Sequence, residues 1–119
     1  MEIMPLIQLK LGPEKMKLGR EKHVLRQVAL QVAAAMDWPV ERLTVTGEEI
    51  PEEDWFHEGG RQPLAMVYWL EGKSLEERQK VMQSVAAAMG TVLDIDTQQV
   101  NVMVLELKKG SLMTGGRFL

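Results

Sequence analysis

The chain has 119 residues, 45% of them hydrophobic and 26% charged, enough to bury one sizeable core and too apolar for a disordered segment. Its net charge is −3, and no Lys/Arg cluster is interleaved with aromatics, so nucleic acid is excluded as an expected partner. Cysteine is absent, which removes disulfide and thiolate chemistry; His23 and His57 lack partners at metal-ligand spacing, so no metal and no cofactor are expected.

In chain order, residues 2–11 read as a strand, with Leu9 and Leu11 on one face and Gln8 and Lys10 on the other. Gly12-Pro13 breaks it. Apolar spacing of three and four predicts a helix over 18–36, ended by Trp38-Pro39 because the residue before proline avoids the helical region. Residues 42–47 are β-branched and predict a second strand, followed by an acidic loop from Glu48 to Arg61. A strand is predicted over 63–70 and a turn at Glu71-Gly72-Lys73. Ser74 and Glu77 have the spacing of a capping box for a helix running to about Leu93. Residues 99–107 are almost continuously apolar and predict a strand buried on both faces in parallel pairing. The tail 111–119 predicts a short hairpin. No apolar run approaches membrane length, and Met1-Glu2-Ile3-Met4 has no basic segment, so the expected location is cytoplasmic, away from membranes. The methionines Met36, Met82, Met89 and Met103 stand at expected core positions.

The chain is also written twice. Val24, Leu25, Val28, Val32 and Met36 return roughly 57 residues later as Val81, Met82, Val85, Met89 and Leu93. Asp37 returns as Asp94, Pro5-Leu6 as Pro63-Leu64, and Gly59-Gly60-Arg61 as Gly115-Gly116-Arg117. A fixed period of this length implies a duplicated supersecondary unit. The expectation is one domain over 1–119 with an internal repeat, 1–62 and 63–119. Each unit is a right-handed β-α-β crossover. Together they give an α/β (α+β) fold: a four-stranded sheet with two helices on one face. Met103 and Leu105 then lie on an uncovered sheet face, so self-association is expected.

These residues resemble the 4-oxalocrotonate tautomerase group of the tautomerase superfamily. Pro63-Leu64-Ala65, the turn Leu70-Glu71-Gly72-Lys73-Ser74, Gly110 and Gly115-Gly116 carry the resemblance in the second half. The first half is similar with one extra residue in its turn. The chain thus looks like two family subunits fused head to tail. The resemblance implies a homotrimer with six units in a ring. It implies an N-terminal proline acting as general base, with arginines holding the carboxylates of a 2-oxo or enol acid and an aromatic walling the pocket.

Position by position, the sequence departs from that pattern. Pro63 is internal, and its tertiary amide nitrogen has no basicity. Pro5 has the same handicap while Met4 precedes it. Glu2 disfavours removal of Met1, whereas translation from Met4 would expose the Pro5 amine. The family's turn arginine becomes Lys73 in the second half and falls near Lys15 and Lys17 in the first. The second-strand arginine becomes Asn101 and Thr44. The wall aromatic becomes Leu112 and Trp55. Lysine keeps the charge and loses the bidentate fork; Asn101 and Thr44 lose the charge. Each residue also has a plainer role. The prolines suit strand starts, Lys17 and Lys73 suit solvated turns, and Asn101 suits a cross-strand hydrogen bond. Trp55 and Phe56 suit packing between chains, and His57 suits a solvated loop.

The expected site therefore comprises Pro5 as base only if exposed, and Lys15, Lys17, Thr44, Trp55, Lys73, Asn101, Leu112 and Arg117 as binding residues for a small carboxylate. Trp55 or Phe56 with Lys15, Lys17 or Arg117 is expected around Pro5, a neighbouring chain being one source. Lys73 is expected to mark a second pocket near Pro63. Arg61 and Arg117 are further candidate cations. The functional expectation is a keto–enol tautomerase or isomerase of a small 2-oxo acid with weak or no proline-dependent activity. A non-catalytic binding or assembly protein on the same scaffold is the alternative. Water activated by a lysine or by His57 is a third route.

Overall fold

The computed structural model describes residues 4–58 and 62–119. The first residues of the expected strand 2–11 and the Gly59-Gly60-Arg61 copy of the glycine motif, Arg61 included, lie outside the described residues.

Strand β1 (Leu6–Leu11) buries Ile7, Leu9 and Leu11, the face that its alternation selects. The expected helix over 18–36 is two helices, α1 (Pro13–Glu21) and α2 (Val24–Met36). They are separated at Lys22-His23, where His23 adopts φ 52°. Pro13 opens α1 from its first turn, where a missing N–H costs nothing. The break lets α1 bury Met16 and Gly19 while α2 keeps its own stripe of Val24, Val28 and Val32 in the core. Helix α2 ends at Met36, the expected last residue, just before Trp38-Pro39. Asp37 caps it in the left-handed region at φ 57°. Asp94 does the same at φ 54° after α3 (Leu75–Leu93), so the repeated aspartate is a repeated helix stop.

Strand β2 (Thr44–Glu49) begins two residues later than expected, after a single 3-10 turn at Val40–Arg42. Strand β3 (Leu64–Leu70) buries Ala65, Val67 and Trp69. The capping box of α3 is formed: Ser74 Oγ accepts the Glu77 N–H at 3.0 Å, and Ser74 N–H donates to Glu77 Oε1 at 3.3 Å. Strand β4 (Asn101–Leu107) follows, and β5 (Met113–Thr114) with β6 (Arg117–Phe118) makes the predicted hairpin.

The sheet order is β2-β1-β3-β4. Each unit pairs its two strands in parallel, and the units meet antiparallel through β1 and β3. The valine ladders of α2 and α3 close one face over Ile7, Leu9, Val67 and Trp69. Each fully buried aliphatic of this kind contributes about 1.5–3 kcal/mol. Met89 is in that core, whereas Met103 is not: it is 44% exposed. Strand β4 is a sheet edge with one uncovered face, so within a single chain it is not buried on both sides as its apolar run suggested. The register places Met66 against Met103 and Tyr68 against Leu105 on that face. No described helix is long and apolar enough to cross a membrane.

Candidate functional site

The antiparallel meeting of β1 and β3 decides where each proline stands. Leu6 pairs with Tyr68, and Lys10 pairs with Leu64. Pro5, one residue before Leu6, therefore sits at the sheet end where β3 finishes. Pro63, one residue before Leu64, sits where β1 finishes. Each proline is thus beside the turn of the other repeat.

At the Pro5 end lies a cavity of about 670 Å³ lined by Glu71, Gly72, Lys73, Lys109, Arg117 and the chain's last residues. Gly72, at φ 97°, makes the turn. Glu71 is held twice. Its N–H donates to the Leu107 carbonyl at 2.8 Å, and its Oε2 accepts the Lys109 N–H at 2.8 Å. The Lys73 ammonium stands 5.2 Å from the centre of the Trp69 ring. Pro5 is buried and lines none of the three cavities described here. Thr44 pairs with Leu6 beside it and is exposed.

At the Pro63 end a cavity of about 260 Å³ is lined by Lys15, Trp55 and Pro63 together with Glu14, Asp94 and Asp96. The Lys15 ammonium donates to the Leu93 carbonyl at 2.8 Å and lies 3.5 Å from that of Asp94. It caps the negative end of α3. Asn101 is exposed rather than buried among valines. Its N–H donates to the Pro63 carbonyl at 3.0 Å, and its Nδ2 donates to Gln62 Oε1 at 2.9 Å. It braces the start of β3, in the cross-strand role.

Two expectations are thereby corrected. Within one chain, Trp55 and Lys15 gather at Pro63, not Pro5, and Lys73 belongs to the Pro5 end together with Arg117. The cause is strand direction, which a sequence period does not encode. Lys15 and Lys17 are also not turn residues: both lie on α1, and Lys17 is exposed and lines none of the three cavities. Phe56, 87% exposed, lines a shallow depression of about 300 Å³ with Trp55 and Lys10. His57 is exposed in the same segment. Leu112 packs against the core, and its carbonyl accepts the Leu119 N–H at 2.8 Å.

Sequence reasoning missed Arg42, Lys109 and Glu71. Arg42 Nε donates to the Met4 carbonyl at 2.9 Å. That carbonyl belongs to the peptide bond that acylates Pro5. The Lys108-Lys109 pair after β4 was the available signal for Lys109; Arg42 left none.

Comparisons with known proteins agree with this architecture. No family model matches the chain. It is 35% identical over 54 residues to a 2-hydroxymuconate tautomerase of Pseudomonas putida, a match spanning 45% of this chain and 86% of that protein. Native fused 4-OT superposes with a TM-score of 0.78 at 15% identity, over 96% of this chain and 95% of the other. The fused 4-OT symmetric trimer gives 0.79 at 16% identity, over 93% and 92%. A duplicated β-α-β fold with a proline opening each unit defines the class. The chain belongs to the tautomerase superfamily, as a fused protein of the 4-oxalocrotonate tautomerase type.

Proposed function

We propose that this chain binds a small carboxylate, of the 2-oxo acid kind, at the Pro5 end of its sheet. Proline-dependent keto–enol isomerisation of that acid is weak or absent while Met4 acylates Pro5. One observation carries the reading: the Met4–Pro5 peptide is built into the fold. Met4 is 4% exposed and packs in the core, and its carbonyl is bonded to Arg42. An amide nitrogen has no lone pair available as a base, whatever surrounds it. The cations Lys73, Lys109 and Arg117, against Glu71, make the neighbouring cavity suited to an anion.

The uncovered sheet face and the trimeric fused 4-OT support a homotrimer. The second reading is a non-catalytic binding or assembly protein. It is favoured by Lys15, whose ammonium is committed to the end of α3 instead of to a ligand.

Initial rates on phenylenolpyruvate and 2-hydroxymuconate test the proposal. The full chain should show little or no turnover. A chain released at Pro5 from a cleavable fusion should gain modest turnover, lost again in Pro5→Ala. Modest is expected because Thr44, which pairs with Leu6 beside Pro5, offers no charge to a developing enolate, and such electrostatic help is usually the largest catalytic term. Substantial turnover by the full chain would defeat the proline argument and direct attention to His57.

A further inference from the structure

Four side chains stand in a row behind the Pro5 end. The guanidinium carbon of Arg42 lies 4.0 Å from the centre of the Trp38 ring, while its Nε holds the Met4 carbonyl. Trp38 meets Trp69 edge to face, with centroids 5.6 Å apart and planes at 73°. Trp69 carries the Lys73 ammonium at 5.2 Å. The row joins the residue that acylates Pro5 to the first cation of the anion cavity by contacts alone.

Trp69 is an unusual choice for its place. It is 1% exposed, and its Nε1–H has no hydrogen-bond partner among the described residues. An unmet buried donor is a penalty that phenylalanine would avoid. What tryptophan adds over phenylalanine is the stronger electrostatic attraction of its ring face for a cation.

From this we infer that Arg42, Trp38 and Trp69 are positioning residues for Lys73. Arg42 clamps the Met4 segment and the face of Trp38, Trp38 fixes the tilt of Trp69, and Trp69 seats the ammonium toward the cavity. The seat reduces the freedom Lys73 must give up when an anion arrives, so affinity rises through pre-organisation. The inference rests on the carboxylate reading above and adds to it a dependence on residues that touch no ligand.

Pyruvate is the probe, titrated against the full chain by calorimetry, with tryptophan emission as a parallel signal. Arg42→Ala and Trp69→Phe should each weaken pyruvate binding about two- to fivefold, the range a single cation–π contact covers. Arg42→Lys should fall between parent and Arg42→Ala. Trp69→Phe should lower the melting temperature only slightly, because losing the unmet donor offsets part of the cost of the lost volume. On a Lys73→Gln background neither change should alter affinity further, since neighbours acting through one group do not add. Equal losses with and without Lys73, or no loss with Lys73 present, would overturn the inference.

Absence of pyruvate binding by the parent would overturn the carboxylate reading and leave the row open to a separate measurement. Acetic anhydride labelling of Lys73 relative to Lys80, on the exposed side of α3, should rise about twofold or more in Arg42→Ala as the seat loosens. An unchanged ratio would show that Lys73 stands where it does without the row.

Discussion

The two ends of the sheet were built from one repeated unit and now carry opposite surroundings. Around the Pro5 end, Lys73, Lys109 and Arg117 face one carboxylate side chain, Glu71. Around the Pro63 end, Lys15 faces three, Glu14, Asp94 and Asp96, and its ammonium is spent on helix carbonyls. The core did not diverge in this way: the valine stripes of α2 and α3, both left-handed aspartate caps and both parallel strand pairs persist. Packing constrains volume and pattern, so a duplicated core keeps both, while charges at strand ends are free to drift toward different uses. Met4 shows the same asymmetry. It precedes Pro5 in the core, 4% exposed with its carbonyl held by Arg42, whereas Gln62 before Pro63 is only part-buried and accepts from the exposed Asn101.

The sharpest way to break the comparison is through the two tryptophans at the two ends. Trp69→Ala should cost about 3–5 kcal/mol in chemical denaturation, the range for a fully buried aromatic. Trp55→Ala, at a half-exposed cavity wall, should cost far less. Comparable losses would mean that Trp55 is core rather than wall. A smaller effect is expected at Gly90, where an added Cβ would stand 2.6 Å from Thr97 Cγ2 and 3.1 Å from the Ile95 carbonyl oxygen. Gly90→Ala should destabilise by about 1–3 kcal/mol through that overpacking. A neutral result would show the turn after α3 to be loosely held. Ser74→Ala should lose about 1 kcal/mol by removing the capping box. The matching first helix begins at Gly12 without a side-chain cap, so Gly12→Ser has no established bond to break and offers the contrast. Last, Lys15→Met should lose about 0.3–1 kcal/mol as the negative end of α3 goes uncapped.

Much of the fold was legible because its signals are local. Ser74 and Glu77 marked the start of α3, and the strands before and after it followed from alternation and from an apolar run. The break at Lys22-His23 was not legible. The three-and-four spacing runs on through it, and His23 carries no sign of a positive φ. The candidate site's cavity-lining residues were singled out in the sequence, but their grouping was illegible. Lys73, Arg117, Trp55 and Lys15 were singled out one by one as candidates, and each lines one of the two cavities. Their distribution between the two ends depends on the antiparallel pairing of β1 with β3, and two identical units can meet in either direction. Arg42 was missed because its partner is a backbone carbonyl, which every residue has.

The central claim is that the two ends differ in what they bind. Pyruvate titrated against the parent chain, Lys73→Gln and Lys15→Gln, all at a temperature where each is folded, tests it most directly. The account predicts that Lys73→Gln weakens binding about tenfold, the loss of one charge-assisted contact, while Lys15→Gln leaves it unchanged. Equal weakening by both, or weakening by Lys15→Gln alone, would contradict the account and return the anion site to Pro63.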